Sequence, residues 1–317
     1  MEGSSDLATP AEFGDILASW ALDADFEALR SSWHRVFRAR RNGELVYLRL
    51  TPLPRRPDEV RAELEWMESL RAQGLPVVGV CRNRSGENFE LRRLRAGEVG
   101  VSCFEAAPGR LTEKGRDYRE PVVENWARLL AGLHEHARSF APRHPTARRR
   151  PWFEDSVLKI ALEAARDSTE PEAAPFRKLV DRFRELGRTR PVLLSHADLH
   201  LGNLSVTPDD ALHVFDFDDA CYHFPEHDVA VALVSIRKAA WELPGRVDAP
   251  ALEAALLRHY GRPLADLDLW CAYRIGLSYF WALGSARAGA FDEERLAWLR
   301  KSTPWWKAQF GSLTKAT

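Results

Sequence analysis

The first recognisable pattern lies at residues 26–50, where FEALRSSWHRVFRAR runs into ELVYLRL through Asn42-Gly43. Strand-like segments on either side of that dipeptide predict a hairpin, because its two-residue turn needs positive φ at both central positions. The period then lengthens. In PRRPDEVRAELEWMESLRAQGLP, Val60, Leu64, Met67 and Leu70 fall on one helical face, Pro57 and Asp58 mark a start, and Gly74 and Pro76 an end. Residues 77–107 predict more short strands, finishing in VSCFEAAPG. Helical patterns follow: VVENWARLLAGLHEHARSF, EDSVLKIALEAARD and FRKLVDRFREL. Residues 141–151, APRHPTARRRP, read as a basic, proline-flanked, solvated loop. Two short apolar runs, PVLL and LHVFDFDDA, then bracket the polar stretch SHADLHLGNLSV, and the chain from Asp228 on is helix-rich. There is no internal repeat. A strand-rich first third before a helical remainder predicts an α+β chain of two lobes, residues 1–104 and 105–317, with a hinge at about 105–109.

Composition narrows the classes. With 317 residues, 45% hydrophobic and 29% charged, the chain is an ordinary globular sequence long enough for two lobes. A formal net charge of -1 gives no global attraction to nucleic acid or anionic membrane. The longest apolar stretches, such as VAVALVSI at 229–236, are far short of the roughly 20 residues of a spanning helix. The start has no basic segment followed by an apolar one, and the four cysteines are scattered without CxxC spacing. These features predict a cytoplasmic protein whose cysteines, and most of its eleven tryptophans, are core residues.

The polar stretch asks for an explanation. His196, Asp198, His200 and Asn203 crowd a loop between two segments that favour burial. In LHVFDFD, strand alternation would place Leu212, Val214, Asp216 and Asp218 on one face. Two carboxylates ending an apolar face are costly unless neutralised, and oxygen ligands point to magnesium or manganese. Phosphoryl transfer needs a carboxylate for the acceptor hydroxyl, an amide and a carboxylate on the metal, and a cation on the phosphates. His196, Asp198, Asn203 and, thirteen residues on, Asp216 supply the first three. The fourth is Arg49, which interrupts LVYLRL. Glu63, at the edge of the buried stripe of the following helix, is its natural partner.

These residues carry a resemblance to the aminoglycoside phosphotransferase-type kinases, whose fold is the two-lobed protein-kinase-like one. HADLHLGN resembles the family's catalytic loop HGDLHxGN, VFDFDDACYHFPEHDVA its metal-binding stretch and VSCFEAAPGR its hinge. ELEWMESLRAQGLPV and LLAGLHEHA are also similar to family segments, and the likeness covers roughly residues 25 to 290. The DFDDA variant and the strand arginine most resemble the bacterial stress-response kinase branch. The resemblance implies an N-terminal nucleotide-binding lobe and a C-terminal catalytic lobe, with ATP and Mg2+ as cofactors. It makes Asp198 the catalytic base and His196 a loop-holding member of the catalytic set. It makes Asn203 and Asp216 magnesium ligands, with Asp218 as a second carboxylate on the metal. Arg49 would hold the phosphates and Glu63 would orient it. Ser31 and Ser32 could donate to the phosphates, and Glu105, Ala106 and Ala107 would offer backbone groups to adenine. Asp228 would cap a helix.

The sequence departs from the pattern in places. Ala197 replaces the usual loop glycine, Cys221 and His223 stand where glycine is common, and LRSSWHRVF has no glycine over the phosphates. The resemblance leaves a hydroxyl acceptor open: a small molecule (amino alcohol, sugar or antibiotic) or a protein Ser/Thr. A non-catalytic nucleotide-binding protein is a second reading. A metal-dependent hydrolase built on His196, Asp198 and His200 is a third. Neither nucleic acid nor membrane is an expected partner.

Overall fold

A computed structural model describes residues 8–29, 34–52, 56–144 and 146–315. The chain forms two units. The first comprises Met1–Arg110, Phe140–Arg149 and His213–Asp218, and the second Leu111–Ser139, Arg150–Leu212 and Asp219–Thr317.

In the first unit, helix α1 (Pro10–Ser19) begins at a capping box: Glu12 N–H donates to Thr9 Oγ1 at 3.2 Å and Thr9 N–H to Glu12 Oε2 at 2.7 Å. Strands β1 (Phe26–Leu29), β2 (Arg35–Arg41) and β3 (Glu44–Pro52) precede α2 (Pro57–Ala72), β4 (Glu90–Leu94) and β5 (Gly97–Glu105). The expected hairpin is present. Asn42 and Gly43 take φ of 52° and 83°, and Arg41 pairs with Glu44. The sheet is antiparallel throughout, in the order β1-β2-β3-β5-β4. Alternation sorts its two faces. Val46, Leu48 and Leu50 of β3 join Phe13, Ile16 and Trp20 of α1 in one core. Arg49, on the opposite face, meets α2, whose Val60 and Leu64 pack with Phe89 and Phe104.

Two returning segments complete this unit. Val214 N–H donates to Pro76 O at 2.9 Å, Val78 N–H donates to Val214 O at 3.1 Å, and the Phe217 ring stands edge-on to Trp66. The basic loop is only partly the solvated segment its charge predicts. Arg143 pairs with Glu68 and Thr146 hydrogen-bonds Asp58, both acids of α2, and Arg149 is buried with its Nη1 on Glu59 O at 3.0 Å.

The second unit is mostly helical. It contains β6 (Arg110–Leu111, entering from the first unit), α3 (Lys114–Asp117), α4 (Glu120–Ala137), α5 (Ser156–Arg166) and α6 (Ala173–Leu186). Then come β7 (Leu193–Ser195), β8 (Leu204–Val206), β9 (Leu212–Val214, leaving for the first unit at His213) and β10 (Cys221–His223). Helices α7 (Pro225–Glu242), α8 (Ala249–Tyr260), α9 (Leu267–Arg287) and α10 (Glu293–Lys315) finish the chain. Helix α9 is apolar nearly all round because α5, α6, α7 and α10 surround it. Phe183 stacks on Trp270 at 3.6 Å, and Tyr273 contacts Trp152, Phe176 and Phe183. All four cysteines are buried thiols outside any disulfide. The α+β prediction, strands first and helices after, holds. No helix among the described residues is long and apolar enough to cross a membrane.

Candidate active site

In the first unit the strand cation and helix acid meet as their burial requires. Arg49 Nη1 lies 2.8 Å from Glu63 Oε1, both side chains are almost wholly buried, and the guanidinium sits over the Phe104 ring. Arg149 Nη1 approaches Glu63 Oε2 at 3.6 Å, a contact no local sequence pattern signals. Asp218 joins the same group, with Oδ2 2.7 Å from His34 Nε2 and Oδ1 3.9 Å from Arg49. Arg149 also donates to the Asp218 backbone carbonyl. Asp218 is thus 6% exposed among cations, while Asp216 is exposed.

The expected strand face of Leu212, Val214, Asp216 and Asp218 does not form. Strand β9 ends at Val214, Asp216 takes a left-handed φ of 62°, and Phe217–Asp219 make a 3-10 turn. The left-handed residue turns the backbone and breaks the two-residue period. For a non-glycine residue such a φ is strained, a feature that clusters at functional sites.

In the second unit a buried aspartate organises the polar loop after β7. Asp228 is fully buried and accepts the N–H groups of His196 (3.0 Å) and Ala197 (2.7 Å). His134 Nε2 of α4 lies 3.0 Å from the same carboxylate, and its Nδ1 lies 2.9 Å from Tyr260 OH. Burial alone would raise the Asp228 carboxyl, but the hydrogen bond and charge of His134 hold it below the ordinary carboxylate range. The expectation that Asp228 caps a helix is corrected. The cap of α7 is Phe224, and Asp228 lies inside the helix with its side chain turned to the loop. Ala197 takes φ of 68°, the left-handed conformation that explains glycine in the resembling motif.

Asp198 follows this anchored turn. Its Oδ1 lies 2.5 Å from Arg274 Nη2 of α9, and its Oδ2 3.5 Å from His200 Nε2. Burial pushes its pKa up, but the Arg274 guanidinium and then His200 overcome this, so the carboxylate is ionised far below neutral pH. Asn203 donates Nδ2–H to the Asp198 carbonyl at 2.9 Å, leaving Oδ1 as its remaining polar group. His200 Nδ1 accepts Gly202 N–H at 2.9 Å, so the loop itself uses that ring. His196 is fully buried.

Asp198 opens on a pocket within the second unit of about 40 Å3, lined in part by Ala197, His223, His227, Tyr273 and Arg274. His227 Nε2 donates to Ala197 O at 3.1 Å, and the His223 ring stacks on His227 at 4.0 Å. Burial, then the Arg274 charge, pushes His227 down to about 4, and burial with His227 puts His223 well below its usual value. Both rings are neutral at pH 7.

The remaining predicted positions are quickly placed. Ser31 and Ser32 lie outside the described residues. Glu105 N–H donates to Gly79 O at 2.9 Å and Ala106 N–H to Leu45 O at 3.2 Å, while the Glu105 carboxylate pairs with Arg71. Ala107 follows β5. Among the described residues no group of three or more His, Cys, Asp or Glu is arranged to hold a metal, so His196, Asp198 and His200 do not form a hydrolase-type cluster. Asn203 Oδ1, in the second unit, and the Asp216 carboxylate, in the first, are each oxygen donors of the kind magnesium takes.

A kinase-like pair of units, an Arg–Glu couple between strand and helix, and an anchored H-x-D-x-x-x-x-N loop define a phosphoryl-transfer enzyme. The model of the phosphotransferase enzyme family matches residues 25–273, and the chain belongs to that family. An uncharacterised protein of Deinococcus radiodurans is 28% identical over 260 residues, covering 76% of this chain and 71% of its own. Among solved structures, an amicoumacin kinase in complex with AMP-PNP, Ca2+ and its ligand is similar with a TM-score of 0.76 at 19% identity, covering 96% of this chain and 92% of its own. A microcompartment-associated aminopropanol kinase is similar with a TM-score of 0.73 at 20% identity, covering 96% and 95%. At these identities the structures establish the shared fold. The family establishes that the protein is a phosphotransferase of the kinase type.

Proposed function

We propose that the protein is an ATP- and magnesium-dependent kinase that transfers the γ-phosphoryl group to a hydroxyl of a small molecule. The observation that carries this reading is Asp198, an ionised carboxylate on a loop pinned by Asp228, opening on a pocket of its own unit. Asp198 orients the acceptor hydroxyl and takes its proton as the oxygen attacks the γ-phosphorus. Arg49, held by Glu63, binds the nucleotide phosphates. Asn203 and Asp216 are the residues that would hold magnesium, which when bound neutralises charge on the phosphate oxygens. The solved kinases similar in fold act on small compounds by their titles, amicoumacin and aminopropanol, which supports the same reading.

The test is ATP consumption with magnesium against amino alcohols, sugars, hydroxy acids, aminoglycosides and a generic Ser/Thr protein. Acceptor-dependent turnover is expected, and consumption with the protein alone would overturn the small-molecule reading. Two variants check the nucleotide side. Glu63→Gln removes the charge that orients Arg49, so KM for ATP should rise about tenfold, a loss of about 1.4 kcal/mol, with the fold intact. Asp216→Ala should lose magnesium-dependent nucleotide binding in a titration with MgATP. If that variant binds MgATP like the parent, the metal assignment is wrong.

A further inference from the structure

The pocket beside Asp198 carries more polar chemistry than proton removal requires. Its lining includes two other charged groups whose partners are known, Asp155 and Arg274. Asp155 is spent: Oδ2 accepts from Arg150 Nε at 2.7 Å, and Oδ1 from Val157 N–H at 2.7 Å as the cap of α5. Among the described residues Arg274 is held by Asp198, through Nη2.

The two stacked histidines are unfinished in a complementary way. His223 Nδ1 accepts Phe224 N–H at 2.8 Å, so in the neutral ring the proton sits on Nε2. That Nε2–H is buried and has no hydrogen-bond partner among the described residues. His227 Nε2–H donates to Ala197 O, which leaves its Nδ1 as a buried acceptor, also without a hydrogen-bond partner among the described residues. Both residues are 2% exposed and line the pocket. A buried donor left unmade is costly, and His223 lines the same pocket as the Arg274 guanidinium.

We infer that the acceptor is a small hydroxy acid, whose carboxylate is bound by Arg274 and the His223 Nε2–H. The inference rests on the kinase reading and names the substrate class of the same site. A guanidinium matches a carboxylate through parallel N–H donors, and a pocket of about 40 Å3 has room for roughly three waters, enough for a carboxylate. The hydroxyl then loses its proton to Asp198 as its oxygen bonds the γ-phosphorus. The bond from that phosphorus to the β–γ bridging oxygen breaks, and ADP leaves with the electron pair.

Three pairs of acceptors that differ by one carboxylate test this: glycerate against glycerol, serine against 2-aminoethanol, and homoserine against 3-aminopropan-1-ol. Phosphorylation is measured for the parent, Arg274→Gln and Arg274→Lys. The acid member of at least one pair should be favoured by about tenfold or more in kcat/KM. Arg274→Gln should abolish that preference by raising KM for the acid, and Arg274→Lys should restore part of it. Preference for the member without the carboxylate, or for an aminoglycoside over every acid, overturns the inference while leaving the kinase reading intact. An equal loss for both members in Arg274→Gln also overturns it, because the guanidinium would then serve the transferred phosphoryl group. Failure of the kinase reading is distinct: no acceptor of any kind would consume ATP. Calorimetric titration of the acids then decides, with heat lost in Arg274→Gln upholding the carboxylate site and no heat in the parent overturning it.

Discussion

Asp198→Asn should lower kcat by about a thousandfold while changing the affinity for MgATP less than twofold, since general-base catalysis contributes 10²–10⁴ in rate. The substitution keeps the shape of the side chain and one oxygen within reach of Arg274, which holds the carboxylate at 2.5 Å in the parent. What it removes is the basic oxygen proposed to accept the hydroxyl proton. The Asn203 bond goes to the Asp198 backbone carbonyl and is untouched. Binding of MgATP is therefore expected to survive while turnover does not. The measurement is kcat and KM for ATP with whichever acceptor the parent phosphorylates, with urea unfolding to confirm an intact fold. A variant that keeps more than a tenth of the parent kcat would exclude Asp198 as the base. Acceptor-dependent turnover abolished by this change would also dispose of the non-catalytic nucleotide-binding reading.

The parts of the site that depend on local pattern were legible in the sequence. Asn42-Gly43 fixed the hairpin because its turn type demands those residues, and the stripe of α2 placed Glu63 where a buried cation had to meet it. Arg49 was identifiable as that cation because a charge in an apolar strand needs a partner. Long-range partners were not legible. Arg274 lies 76 residues beyond Asp198, and His134 lies 94 before Asp228. The one local trace of Arg274 is a lone arginine in the apolar run WCAYRIGL, which the same argument about buried charges would have flagged. Helix α1 had its own signal, the Thr9…Glu12 capping box. The stretch after β9 was misread for a different reason: alternation was extended through Asp216, where the backbone turns left-handed and the period of two ends.

Asp228→Ala should destabilise the protein by about 3–5 kcal/mol and abolish turnover, because breaking a buried ionic network from one side strands its partners. Asp228 satisfies the amides of His196 and Ala197 and the imidazole of His134, all in a fully buried site. Alanine would leave those donors unpaired and release the turn that presents Asp198. That is a large share of a typical stability of about 5–15 kcal/mol, so urea denaturation should show a large fall in midpoint. Asp228→Asn separates charge from shape. It keeps one acceptor oxygen but sets its NH2 against a loop N–H, so it should recover part of the stability. The pH dependence gives an independent check. The folded carboxyl is held below its unfolded value, ordinarily about 3.9. The group binds fewer protons folded than unfolded, so its contribution is present above pH of about 4 and fades as pH falls toward the folded value. The gap between parent and Asp228→Ala should therefore narrow on acidification below pH of about 4. A gap of the same size at pH 7 and in acid would mean that Asp228 holds the loop by packing, not by its charge.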